Sequence, residues 1–158
     1  MATTSTSHPR TGLTPELVAS TAFLLKRIGF AVKERWHDAF EPTGLQPQHH
    51  AVLSLLDEGM CTAQWMIADR LDYDRSQIVG LLDDLEERGL VRRKRDPADR
   101  RRHLVTLTDE GRAKLLELGA LTKSVEKDFL APLDAEERRM LHDLLLRLAA
   151  HHDKRFGA

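Results

Sequence analysis

Between Arg88 and His103 the chain carries Arg88, Arg92, Arg93, Lys94, Arg95, Arg100, Arg101 and Arg102, against only Asp96 and Asp99. Guanidinium and ammonium groups at this density are suited to phosphate, which they bind by charge-assisted hydrogen bonds while displacing counterions. The formal net charge of the whole chain is −1, so the positive potential that a polyanion requires is local. Other chemistry finds little footing. Cys61 is the single cysteine and has no internal disulfide partner; its type fits a small buried side chain and, alternatively, a thiol redox sensor. His49-His50 and His151-His152 are adjacent pairs, and neighbours on a helix point about 100° apart, so neither pair forms a chelating face. No phosphate loop, nucleophile elbow or zinc-hydrolase helix motif is present. The residues point away from an enzyme, and no metal or cofactor is expected.

The elements that would position the basic stretch follow from periodicity and capping signals. At 158 residues, 41% hydrophobic and 5% aromatic, with leucine carrying the apolar content, the chain fits one mainly α domain. Residues 1–13 show no periodicity and are expected to be a disordered tail. Thr14-Pro15-Glu16 reads as an N-cap, a proline at the first helical position and a favourable acid. It opens a long helix through Phe40, with Leu17, Leu24, Leu25, Ile28, Trp36 and Phe40 at helical spacing, ended by Pro42 to Gly44. A second helix runs from Pro47 to Asp57 and stops at Gly59. Thr62 is the expected N-cap of a third, Ala63 to Leu71, with Trp65, Met66, Ile67 and Leu71 as its apolar positions. Asp74-Arg75-Ser76-Gln77 has the form of a capping box and opens a fourth helix, stopped at Gly89. Leu90 to Arg95 and Arg101 to Leu107 are β-like runs joined by Asp96-Pro97-Ala98-Asp99. Thr108 caps a helix to about Leu130, and Asp134-Ala135-Glu136-Glu137 caps the last one.

Two short helices separated by a tight link and followed by a basic hairpin make the order of a winged helix-turn-helix. In that arrangement the N-terminal end of the second helix enters the major groove of DNA, where free backbone N–H groups and the macrodipole meet phosphate. Arg75, Ser76 and Gln77 stand there, with Gln77 suited to an adenine edge. An arginine-bearing hairpin tip suits the narrow minor groove, and Asp99 is positioned to bridge a neighbouring guanidinium and fix its direction. The expected DNA-contacting set is Thr62, Asp74, Arg75, Ser76, Gln77 and Val79, then Arg92, Arg93, Lys94, Arg95, Asp99, Arg100, Arg101 and Arg102.

The stretch Asp74-Arg75-Ser76-Gln77-Ile78-Val79-Gly80-Leu81-Leu82-Asp83-Asp84-Leu85-Glu86-Glu87-Arg88-Gly89-Leu90-Val91 resembles the MarR family of bacterial regulators. So do Asp96-Pro97-Ala98-Asp99-Arg100-Arg101 and Val105-Thr106-Leu107-Thr108-Asp109-Glu110-Gly111. The resemblance implies a homodimer joined through its first and last two helices, with one winged helix per subunit on each half of a pseudo-palindromic duplex operator. It further implies a repressor released by a small ligand or by thiol oxidation, and it places the wing acid and tip arginine at Asp99 and Arg101. Asp83 and Asp84 depart from the more basic recognition helices of relatives, shifting the expected affinity toward the wing.

The resulting organisation is a winged head over 45–108 and a helical dimerisation region over 14–44 and 109–153. A cavity for an unidentified aromatic or phenolic effector needs an apolar wall with a few cations or donors. Arg35, Trp36, His37, His49 and His50 are its candidates, against a plainer reading of Trp36 as core and the others as surface groups. Without an apolar leader or a membrane span the expected location is cytoplasmic. The rival reading is a helical dimer that serves as a protein-interaction module, suggested by Asp83 and Asp84.

Overall fold

The computed structural model describes residues 12–59 and 63–157. Thr62 and Cys61 lie outside the described residues, as does the expected tail except Gly12 and Leu13. The chain divides into two compact units, one through Arg35 and one from Trp36 onward.

In the first unit the expected single long helix is two. α1 spans Pro15–Ala19 and α2 begins at Thr21, running to Phe40 in the second unit. Thr14 caps α1 as expected, its hydroxyl accepting from the Leu17 N–H. The break comes from Ser20, whose backbone is extended at φ −82° and ψ 111° and whose hydroxyl accepts the Phe23 N–H at 3.3 Å. A serine that satisfies an orphan N–H in this way starts a new helix instead of continuing the old one. The apolar stripe is present but uncovered, with Leu17, Leu24, Leu25 and Ile28 all exposed.

The second unit holds the core. α3 (Pro47–Asp57), α4 (Gln64–Leu71) and α5 (Arg75–Glu87) pack with the antiparallel strands β1 (Val91–Arg95) and β2 (His103–Leu107). Val52, Leu53, Ile67, Leu82, Leu85, Val91 and Val105 are shut from solvent, and Leu118 of α6 (Asp109–Phe129) joins them. α4 starts one residue later than expected because Ala63 pairs with Leu104 beside β2 and occupies the N-cap position. Between α4 and α5 the chain turns at Asp72, which adopts a left-handed φ of 55°.

The hairpin and α6 are locked together at Thr108. Its backbone N–H donates to the Leu90 carbonyl at 3.1 Å, its hydroxyl lies 2.7 Å from the Gly89 carbonyl and 3.0 Å from that of Leu90, and the hydroxyl accepts the Gly111 N–H at 2.9 Å. Gly111 is glycine for contact and not for backbone conformation: a Cβ there would lie 2.0 Å from the Leu90 carbonyl oxygen. α6 is continuous through Gly111 and Gly119. α7 (Ala135–His152) opens with the full capping box expected from Asp134 and Glu137, yet it buries none of its residues. Met140, Leu144, Leu145 and Leu148 stay exposed.

Candidate nucleic-acid interface

The N-terminus of α5 is set by Asp74. One carboxylate oxygen accepts the Gln77 N–H at 2.8 Å and the Ser76 hydroxyl at 2.6 Å. The Ser76 hydroxyl first, then the Gln77 N–H, holds the Asp74 carboxyl below its ordinary range, so the cap is anionic at neutral pH. Ser76 thereby directs its proton to the cap, leaving its oxygen as an acceptor. Arg75 and Gln77 project into solvent, Val79 is partly covered, and Ile78 anchors the turn in the core.

The acids further along α5 do not face the same way. Asp83 and Glu86, three residues apart and so on one helix face, both bind Arg93 of β1. Glu86 accepts the Arg93 backbone N–H at 2.8 Å and its Nε at 2.7 Å. Burial works against the Arg93 charge, but hydrogen bonds to Glu86 and Asp83 outweigh it and hold the guanidinium above its usual value. The Arg93 N–H and side chain likewise keep the Glu86 carboxyl low. Asp84 takes the Arg88 Nε at 2.9 Å and the His49 Nε2 at 3.1 Å. Asp83 and Glu86 thus brace α5 to β1, and Asp84 braces it to α3, so the acids that suggested a protein-interaction module serve as intramolecular ion-pair partners. The pairing also takes Arg93, whose side chain is only 21% exposed, out of the set of free wing cations.

At the wing, Asp99 accepts the Arg101 N–H at 3.1 Å and its Nε at 3.2 Å, and the Arg102 Nε lies 3.3 Å from the other oxygen. The Arg101 side chain, then its backbone N–H, and the Arg102 charge hold Asp99 below the usual carboxylate range. The Arg101 side chain is nonetheless 92% exposed. Asp99 fixes its direction while leaving the guanidinium in solvent. Arg92, Lys94, Arg95 and Arg100 are exposed and make no ion pair among the described residues.

Sequence reasoning passed over Trp65. Its apolar type and helical spacing read as core, but the buried residue of α4 is Ile67, with Met66, Ala68 and Leu71 packed beside it, and Trp65 is 55% exposed. It borders a concavity of about 340 Å³ together with Gln64, Arg75, Arg101, Arg102 and His103. Residues expected at the recognition helix and at the wing thus line one continuous depression.

The effector candidates separate. His49 is buried with both ring nitrogens engaged: Nδ1 accepts the Gln46 N–H at 2.9 Å, capping α3, while Nε2 faces Asp84. Burial lowers its pKa against the opposing pull of Asp84, and Arg88 adds to the lowering. No nitrogen is left for a ligand. His50 is half-buried, edge-on to Phe40 at 6.3 Å between ring centres, and burial lowers its pKa as well. Trp36 is partly buried, with its indole N–H shut from solvent and without a partner among the described residues. Arg35 and His37 are exposed. Among the described residues no three metal-ligating side chains converge, and no helix is long and apolar enough to cross a membrane.

Residues 43–102 match the profile of the MarR family. The transcriptional regulator HosA of Escherichia coli O111:H- is 32% identical over 114 residues, which are 72% of this chain and 83% of HosA. The chain belongs to the MarR family. A further relative, the uncharacterized HTH-type transcriptional regulator YdgJ of Bacillus subtilis, is 34% identical over 67% of this chain and 65% of its own length, so the chain spans just under two thirds of that relative. Among MarR-family structures, the repressor CouR bound to a 23-mer DNA duplex superposes with a TM-score of 0.77 at 35% identity, over 88% of this chain and 99% of CouR. CouR from Rhodococcus jostii RHA1 has also been solved with p-coumaroyl-CoA. The order α4, turn, α5, hairpin is the winged helix-turn-helix of MarR regulators, as the sequence led us to expect.

Proposed function

We propose that the chain is a sequence-specific, duplex-DNA-binding transcriptional repressor that works as a homodimer in the cytoplasm and is released by a small aromatic ligand. One observation carries the DNA-binding part. Asp83, Asp84 and Glu86 of α5 are paired with Arg93, Arg88 and His49, and the concavity shared by the N-terminus of α5 and the wing is lined by Arg75, Arg101, Arg102 and His103 with no acid among its lining. Arg75 and Gln77 enter the major groove, and Arg101 reads the adjacent minor groove. Arg92, Lys94, Arg95 and Arg100 supply phosphate contacts. A gel shift with the protein's own upstream region tests this; absence of a complex at low salt overturns it.

The exposed apolar residues of α2 and, separately, of α7 support the dimer, since an apolar helix face is normally covered by a partner. Sedimentation of the purified protein at the mass of one chain would remove this part. For the effector, the structure of CouR with p-coumaroyl-CoA supports a ligand that carries an aromatic acyl group. Trp36 and His50 remain the residues of this chain suited to contact it, the first by its unpartnered N–H. A thermal-shift screen of such ligands, followed by the gel shift with each hit, tests release.

A further inference from the structure

A helix in the major groove and a wing in the adjacent minor groove are separated by one sugar–phosphate backbone. That backbone must cross whatever surface joins the N-terminus of α5 to the foot of the wing. In this chain the joining surface is the concavity of about 340 Å³ that Trp65 borders. We propose that it is the cradle of that single backbone, and that Trp65 is a DNA-positioning residue which packs against the deoxyribose between two bound phosphates. The inference rests on the DNA-binding reading above and adds to it a residue and a contact type.

A backbone presents alternating anionic phosphates and apolar sugars, and the concavity offers both complements. Arg75 stands on one side, Arg101 and Arg102 on the other, and Gln64 supplies an uncharged donor from the first turn of α4. None of the lining groups is acidic. The apolar part comes from Trp65, Ala68 and Ile78; Ile78 is needed by the core, where it is 1% exposed, and Ala68 packs against that core. An indole left 55% exposed beside the fully buried Ile67 is not explained by folding. A free energy of binding explains it, because apolar area covered by sugar is removed from water. Trp65 also borders a second depression, lined by Asp69, Asp72 and Asp74. Phosphate is repelled there, so the indole marks the edge of a track along which a backbone is confined to the cationic side.

The test separates an apolar contact from a charged one by salt. Anisotropy of a labelled duplex from the protein's upstream region is measured across a salt series for the wild type, Trp65→Ala, Trp65→Phe and Arg102→Ala. Removing an uncharged packing partner weakens binding about tenfold at every salt concentration and leaves the slope of log K against log salt unchanged for Trp65→Ala. Arg102→Ala lowers the slope by about one, the amount expected when one phosphate is no longer neutralised. Trp65→Phe, which keeps an aromatic face, recovers most of the affinity. Because the chain has 2 tryptophans, Trp65→Phe leaves only Trp36 emitting, and the fluorescence change that DNA produces in the wild type disappears. Unaltered affinity of Trp65→Ala, or a DNA-dependent fluorescence change that persists in Trp65→Phe, overturns the cradle while leaving the DNA-binding reading intact. The fluorescence arm decides the matter even where Trp65→Ala fails to fold. A wild type that forms no complex at low salt overturns both.

Discussion

Glu86 accepts two hydrogen bonds from Arg93, one from its backbone N–H at 2.8 Å and one from its Nε at 2.7 Å, so a single side chain joins the recognition helix α5 to the first strand of the wing. The brace ties α5 to β1, with Asp83 as its second arm. Glu86→Ala leaves the backbone N–H and a half-buried guanidinium short of partners. The cost is about 1–2 kcal/mol once solvent screening of the partly exposed carboxylate is allowed for, read as a lower urea midpoint. Glu86→Gln keeps an acceptor and costs less. An Ala variant as stable as the wild type would mean that the brace is dispensable.

His49 sets a pH dependence whose sign follows from its tautomer. Nδ1 accepts the Gln46 N–H, so a second proton there would place donor against donor, and burial already lowers the pKa. His50 is shifted in the same direction by burial. A histidine with a depressed folded pKa binds more protons when unfolded, so its stabilisation is complete above the unfolded value of about 6.5 and is lost as pH falls from there toward the folded value. The lowered carboxyls of Asp74, Glu86 and Asp99 act in the same direction but in a separate window, below about pH 4. The melting temperature therefore declines as pH drops below about 6.5, before those carboxylates titrate. His49→Gln supplies a non-titrating acceptor to the cap and shallows that decline, leaving the share of His50. An unchanged slope in His49→Gln would show that the ring titrates freely.

The parts legible in the sequence were those whose causes are local. Thr14, Asp74, Thr108 and Asp134 announce helix starts because each caps an N–H two or three residues ahead of it. The Asp99 to Arg101 bond was equally readable, since its partners are two residues apart. Orientation across elements was not. Asp83 and Asp84 counted in sequence as acids on a DNA-reading helix, and only the placement of β1 and α3 shows that Arg93 and His49 receive them. Trp65 erred in the opposite sense: apolar type and helical spacing say buried, but the turn that exposes it is set by the Ala63 to Leu104 pairing, a long-range contact that no local pattern encodes. The Ser20 break was visible only as a serine within an otherwise helical pattern, where a cap and an exposed helical residue look alike.

Gly111 gives a prediction whose sign runs against helix propensity. Glycine inside an exposed helix is worse than alanine by about 1 kcal/mol, so Gly→Ala there is ordinarily stabilising. At Gly111 the added methyl would meet the Leu90 carbonyl oxygen at 2.0 Å and the Leu107 side chain at 2.8 Å. The first turn of α6 must retreat, breaking the Thr108 bonds to Leu90 that hold the hairpin. Gly111→Ala is expected to lose about 2–4 kcal/mol, as overpacking with hydrogen-bond loss does, and chemical denaturation measures it. Gly119→Ala has no close neighbour to displace, its nearest being the His50 ring nitrogen at 4.0 Å, and serves as the control.

Arg101 and Arg93 stand in the same basic stretch but in opposite circumstances, and the contrast tests the assignment of the wing. The Arg101 side chain is almost wholly in solvent and held by Asp99 through one short loop. Its removal costs the fold little, since exposed ion pairs contribute a few tenths to about 1 kcal/mol. Arg93 is covered, and its removal leaves Asp83 and Glu86 without their shared cation. Arg101→Ala is therefore expected to keep the wild-type melting temperature while weakening operator binding by about ten- to a hundredfold, the range of one good groove contact. Arg93→Ala lowers the melting temperature and, at temperatures where it remains folded, keeps the wild-type salt slope. Arg92→Ala, Lys94→Ala and Arg95→Ala each reduce that slope by about 0.9 for every phosphate left without its cation. Should Arg93→Ala flatten the salt dependence with an unchanged melting temperature, its guanidinium would belong to the DNA and not to α5.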